Sequence, residues 1–364
     1  MKRLLSLSIL TASSLLAVSP NVDAIQNSIS TPKIVEDKNQ ENKNELIEIA
    51  GKKSYAPMMV DDKSGKKLYV KEFLIEGNEH VNSNELQDLI KDFKDKELSF
   101  SELQNLASIV TKEYREKGYF VARAYLPKQN LQENNGVLKI AVIEGTYGEF
   151  KLENNSNVKD FLVQSMLNDA KARDNVVSTD TLERSMLIIN DTPGAKVTQA
   201  DVKPGSEIGS SDFLIKTEKT PLYDGYVVAD NHGSKYTGKN RVMAGVNLNS
   251  PLKLGDKLSL SGLVSNGNDI ENYKTGYDFP LMANGLRGQI NYSKTNYDLV
   301  KLGQTTPDGI YDGYTKTYEA GITYPIIRTR LENLNFSSVY SNKELKDYYY
   351  EAVSKDREIN SVKI

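Results

Sequence analysis

Residue types that do chemistry are sparse in this sequence and poorly spaced for it. The two histidines, His80 and His232, lie far apart and there is no cysteine, so neither a thiol nucleophile nor a His/Cys metal cluster can be assembled. His80 falls in the turn-like stretch Gly77-Asn78-Glu79-His80 and reads as a solvated turn residue. Carboxylates sit together at Asp61 and Asp62, and Asp347 lies near Asp356, but these segments read as solvated surface and not as a pocket. No nucleophile elbow, P-loop or G-x-G-x-x-G run is present. The sequence therefore points away from an enzyme, a metal site and any cofactor. A net charge of -3 gives no overall basic field for nucleic acid, and neither nucleic acid nor a nucleotide is expected as a partner.

What remains to explain is the arrangement of elements along the 364 residues, whose 38% hydrophobic and 26% charged content suits folded modules. Lys2 and Arg3, an apolar stretch from Leu4 to Val18 and the small-ended Val22-Asp23-Ala24 form the pattern of a cleaved secretory signal. Residues 25–67 are rich in Asn, Lys, Glu and Ser and read as a polar leader or linker. Within it Glu45 to Ala50 could form a short helix against a partner surface. Beyond Ala24 no apolar run approaches the roughly 18–20 residues of a membrane helix, so membrane contact would have to come from a peripheral face or a barrel.

Two units of strand, two helices and two strands follow. In the first, Tyr69 to Glu76 is a strand ending at Gly77-Asn78, and a helix begins near Asn82 with Leu86, Leu89, Ile90 and Phe93 on one face. Ser99 and Glu102 form a capping box. Phe100, Leu103, Leu106, Ala107, Val110 and Tyr114 then make a buried stripe that Gly118 ends. Strands Tyr119 to Leu126 and Val137 to Glu144 complete the unit. The order repeats as strand Glu149 to Glu153, helix Val158 to Leu167, helix Thr179 to Asn190, strand Ala195 to Val202 and strand Asp212 to Glu218. Val158, Phe161, Leu162, Ser165 and Met166 are the expected face of its first helix, and Leu182, Met186 and Ile189 that of its second.

After Pro221 the helices stop and a two-residue period takes over. Val242, Ala244, Val246 and Leu248 alternate with Arg241, Met243, Gly245 and Asn247, and similar runs continue to Tyr340. Each is long enough for a tilted membrane strand of roughly 9–11 residues. Short turns at Ser250 to Gly255, Leu281 to Gly285 and Pro325 to Thr329 contrast with a polar loop from Leu299 to Asp312, as in outer-membrane barrels. Fifteen of the 21 tyrosines lie after Pro221, where they could form interfacial girdles. A soluble β-sandwich would also alternate.

The stretches Gly118-Tyr119-Phe120-Val121-Ala122-Arg123-Ala124-Tyr125-Leu126-Pro127, Gly136-Val137-Leu138-Lys139-Ile140, Asn190-Asp191-Thr192-Pro193-Gly194-Ala195, Asp230-Asn231-His232-Gly233 and Leu254-Gly255-Asp256-Lys257-Leu258, in this order, resemble the outer-membrane transporters of two-partner secretion, the haemolysin-activator type. The resemblance implies α+β periplasmic POTRA domains (β-α-α-β-β) followed by an incomplete antiparallel transmembrane β-barrel. The expected divisions are a signal peptide over 1–24, the leader over 25–67, POTRA domains over 68–146 and 147–220, and the first part of the barrel over 221–364. It further implies a protein of the bacterial outer membrane that captures an unfolded secreted exoprotein in the periplasm and passes it outward, in contact with outer-membrane lipid. The leader would be able to plug the pore.

A small sheet with an exposed edge can hold an extended chain through main-chain hydrogen bonds. Ala195, Lys196, Val197, Thr198, Gln199, Ala200, Asp201 and Val202 are the candidate substrate-binding edge, beside the grooves of the second helices. The family's barrel has about sixteen strands, and the residues after Pro221 can supply only about seven or eight. Half a barrel leaves two unpaired edges in lipid, so a truncated sequence is expected. The competing functions are a barrel-assembly insertase, a plain porin or adhesin barrel, and a non-functional transporter fragment.

Overall fold

A computed structural model describes residues 48–49, 59, 67–131, 134–300 and 310–364. The expected signal segment and most of the leader lie outside these residues. Where a short helix was expected near Glu45 to Ala50, the two described residues form a strand instead, β1 (Glu48–Ile49).

The first unit runs β2 (Leu68–Val70), β3 (Glu72–Glu76), α1 (Ser83–Ile90), a 3-10 turn (Lys91–Phe93), β4 (Lys96–Leu98), α2 (Phe100–Glu116), β5 (Arg123–Tyr125) and β6 (Val137–Ile143). Asn82 caps α1 by accepting from the Asn84 N–H at 2.8 Å. Ser99 and Glu102 satisfy each other's backbone donors at the start of α2, as the capping box requires. The expected first strand is interrupted at Lys71, whose N–H turns to the Gly136 carbonyl. Its leading piece, β2, pairs with β4, a strand absent from the sequence reading. In the main sheet β6 is central, parallel to β3 and antiparallel to β5. Leu86, Ile90, Leu103, Leu106, Val110, Tyr114, Leu138 and Ile140 bury completely between this sheet and the helices. Each such burial contributes about 1.5–3 kcal/mol. Leu89, expected inside, is exposed on the outer side of the short α1.

The second unit contains β7 (Thr146–Asn155), α3 (Asp160–Arg173), α4 (Thr179–Asp191), β8 (Lys196–Pro204) and β9 (Ser210–Glu218). Strand β9 is central, parallel to β7 and antiparallel to β8. Leu182, Met186 and Ile189 of α4 are fully buried as expected. Of the face expected for the first helix, Val158 and Met166 are buried and Leu162 packs partly against the core. Phe161 is 62% exposed, and the core is met by Val163, Met166, Leu167 and Ala170.

The remaining strands are β10 (Tyr223–Asp230), β11 (Arg241–Asn249), β12 (Lys257–Ser265), β13 (Ile270–Pro280), β14 (Arg287–Leu299), β15 (Tyr311–Arg328), β16 (Asn333–Tyr349) and β17 (Ala352–Lys363). They form one antiparallel sheet in sequence order, ending at β10 and β17. Its outer face leaves Val242, Val246, Leu260, Tyr273, Ile290, Tyr318 and Phe336 exposed, the apolar band of a membrane barrel wall. The connections depart from the expected asymmetry at two places, the short link Asn266 to Asp269 between β12 and β13 and the link between β16 and β17. Strands β16 and β17 meet at a tight turn in which Tyr350 and Glu351 both have positive φ, far from the short turns at the other end. Pro325 lies inside β15 at a bulge, where its missing N–H breaks no ladder bond, and the chain reverses later, at Thr329 to Glu332.

Candidate functional site

Strand β8 lies at the border of the second unit's own sheet, with β9 on one side. Its other side carries β1 in parallel register, Glu48 opposite Asp201 and Ile49 opposite Val202. Of the candidate edge residues, Ala195 precedes the strand and is fully buried. The Val197 N–H is taken by the Asn190 side chain of α4 at 2.6 Å. A bulge between Val197 and Gln199 leaves Thr198 outside the ladder and breaks the edge there. These features separate Lys196, Val197 and Thr198 from the stretch where β1 pairs. Gln199, Ala200, Asp201 and Val202 provide the regular edge. Here the Gln199 amide donates to Asp201 at 2.8 Å, while Ala200 and Val202 point into the core.

A joint links the two units. Residues Tyr119 to Ala122, expected as strand, form a turn held by the Tyr119 N–H to the Tyr114 carbonyl and the Ala122 N–H to the Tyr119 carbonyl. Gly118, at φ +90°, opens this turn. Phe120 and Val121 then pack against the second unit's core, and the Gly118 carbonyl accepts from the Thr179 N–H at the start of α4. The β-forming side chains are thus buried between units instead of within a strand. The Glu144 side chain is also buried beside this joint. Its Oε1 accepts from the Glu79 and His80 N–H groups, each at 2.8 Å, and from the Tyr114 hydroxyl at 2.8 Å. His80 lies in an exposed bend, as expected, but its ring is engaged on both sides. Its Nδ1 lies 2.6 Å from Glu144 Oε2 and its Nε2 lies 3.3 Å from Asp174 Oδ2 of the second unit.

Helix α4 seats the second unit on the end of the large sheet that carries the turns at Ser250, Asn284 and Thr329. Arg184 donates to the carbonyls of Pro325, Ile326 and Asn284, with its guanidinium 5.8 Å from the Tyr324 ring centre. Arg328 makes a two-pronged ion pair with Asp191 at 2.6 and 2.8 Å. Ser250 donates to the Asn157 carbonyl, and the Lys159 N–H bonds to the Lys253 carbonyl. These contacts were not foreseen; their one sequence signal is an arginine set among the apolar residues of α4. Among the described residues no group of three His, Asp or Glu side chains is placed to hold a metal ion.

Two small α+β units leading into a wall of membrane-type strands define a POTRA–barrel protein of the outer membrane, with its POTRA units in the periplasm. Residues 68–145 match the family described as "POTRA domain, ShlB-type", and residues 209–362 match "Haemolysin secretion/activation protein ShlB/FhaC/HecB". The chain belongs to this haemolysin secretion/activation family. It is 30% identical over 318 residues to the heme/hemopexin transporter protein HuxB of Haemophilus influenzae, covering 86% of this chain and 55% of HuxB. It is 23% identical over 359 residues to the hemolysin transporter protein HpmB of Proteus mirabilis, covering 96% of this chain and 62% of HpmB. The chain thus spans little more than half the length of these curated relatives. Its fold is similar to CdiB from Escherichia coli, with a TM-score of 0.65 at 21% identity, covering 84% of this chain and 57% of that one.

Proposed function

We propose that this chain is the capturing portion of a two-partner secretion transporter. Its second POTRA unit receives an unfolded exoprotein on the Gln199–Val202 edge of β8, and the barrel to which its strands belong passes that chain across the outer membrane. The observation that carries this reading is β1, an extended segment already paired with that edge through Asp201 and Val202. An edge that pairs by main-chain bonds tolerates many side chains, which suits a partner presented unfolded. The absence of an enzyme's residue constellation from the sequence supports transport without covalent chemistry. The outward apolar residues of the large sheet supply the lipid contact.

The chain has no cysteine, so a single Asp201→Cys variant gives a clean test. An unfolded exoprotein of the two-partner type, carrying one cysteine, is expected to form a disulfide with Asp201→Cys and not with Lys151→Cys on β7, the sheet's opposite border. Equal crosslinking at both positions, or none at either, would defeat the assignment.

A further inference from the structure

We propose that His80, clasped between Glu144 of the first unit and Asp174 of the second, is a proton-operated latch. It holds the two POTRA units at a fixed angle while its ring carries both protons and frees them when one is lost. This inference does not depend on polypeptide capture at β8.

The argument begins with the ring's two nitrogens. Each faces a carboxylate oxygen, Nδ1 at 2.6 Å from Glu144 and Nε2 at 3.3 Å from Asp174. Only imidazolium donates from both nitrogens; a neutral ring turns one lone pair toward an anion. The two carboxylates differ in how firmly they are held. Glu144 is fixed by two backbone N–H groups and the Tyr114 hydroxyl, so it remains in the first unit whatever the ring does. Asp174 ends α3, and its Oδ1 accepts from the Val176 N–H at 2.9 Å, leaving Oδ2 for the histidine. Losing the proton therefore breaks the contact that crosses between the units.

Among the described residues no cation pairs with the carboxylates that hold His80. The groups facing His80 are Glu144, Asp174, Glu79 on its own turn, and the Tyr119 ring, whose centroid is 5.5 Å away. Lys117, the basic group near Tyr119, is engaged with Glu85 at 2.8 Å and Glu113 at 3.6 Å. Burial lowers the affinity of His80 for its proton, but the hydrogen bond to Glu144 and the negative charges of Glu144, Asp174 and Glu79 outweigh it and raise the pKa above the usual histidine value. The sign follows: the latch is fully formed below the ordinary histidine value and is lost as pH rises through the raised one.

The remaining contacts at the joint explain why the units would loosen without separating. Thr179 to Gly118 and Val177 to Gly145 are backbone bonds independent of pH in this range, and Phe120 and Val121 stay packed on the second core. The latch thus governs rotation about a joint that persists.

The test uses the full chain in detergent with fluorophores on Asp88→Cys and Lys171→Cys, both exposed and in different units. Single-molecule energy transfer should give one narrow distance peak at about pH 5.5 and lose it to a broad distribution at about pH 8.5. His80→Gln should be equally broad at both. Asp174→Asn provides the second arm, because its carbonyl can keep the Val176 bond while its amide donates to a neutral Nε2. In that variant the response should reverse, narrow at about pH 8.5 and broad at about pH 5.5. A width unaffected by pH in the natural chain, or a response that Asp174→Asn leaves as it was, would overturn the latch.

Discussion

At the scale of single residues, Glu144 gathers hydrogen bonds from Glu79, His80 and Tyr114, and its surroundings set its charge. Burial favours its neutral form, yet the hydrogen bonds from His80 and Tyr114 outweigh this and hold its pKa below the usual carboxylate value. Its contribution to stability is therefore present at and above that usual value and is lost as pH falls through the depressed one. Tyr114 is fully buried and its hydroxyl donates to Glu144, so Tyr114→Phe leaves part of a buried carboxylate unsatisfied. The expected cost is about 1.5–3 kcal/mol, read as a lower urea midpoint for hydrogen-exchange protection of β6 at neutral pH, with the difference shrinking toward acid. What was legible at this scale was local chemistry. Asn82 and the Ser99–Glu102 pair could be read because a cap is decided within four residues. His80 could not, since both its partners lie more than sixty residues away in the chain.

At the scale of elements, periodicity gave the number and type of helices and the strand-only region, and it failed where a neighbouring unit supplied the burial. Phe120 and Val121 have strand-forming side chains but bury across the joint, so only Arg123–Tyr125 pairs within the sheet. On α3 apolar residues occur on more than one side of the first turn, and the sheet selects Val163, Met166 and Leu167 over Phe161. Strand β8 was recognised as a border strand, but the bulge that confines its pairing stretch depends on β9 and could not be read from residues 195–202 alone. Helix α4 carries the seat of the barrel. Arg184 satisfies the carbonyls of Pro325 and Ile326 near the end of β15 and of Asn284 in a turn, and Arg184→Ala withdraws those donors from a buried site. Hydrogen exchange should rise in Asn284 to Leu286 and Ile326 to Thr329, while β8 and β9 keep their protection. Unchanged exchange in those turns would show that the ion pair of Arg328 with Asp191 suffices alone.

For the whole molecule, the resemblance read from the motif order agrees with the family matches over 68–145 and 209–362 and with a fold similar to CdiB. The sequence reading expected seven or eight strands after Pro221, and eight are present, laid side by side in chain order. The number came from the length of the segment, while alternation located the strands from β11 to β16, each with one face toward lipid and one inward, and left β10 and β17 unread. The pairing of β1 with β8 was not legible, since two residues in a polar leader carry no strand signal. That pairing matters most for function, because it shows which main-chain groups of the second POTRA unit an extended segment pairs with, and a captured chain would take the place of β1 there. The most direct measurement is backbone hydrogen exchange of the full chain with and without an unfolded exoprotein of the two-partner type. Capture at β8 in place of β1 predicts loss of protection at Glu48 and Ile49, protection extended along Gln199 to Lys203, and little change at Lys196 to Thr198. Protection confined to β5, or none in either POTRA unit, would contradict it.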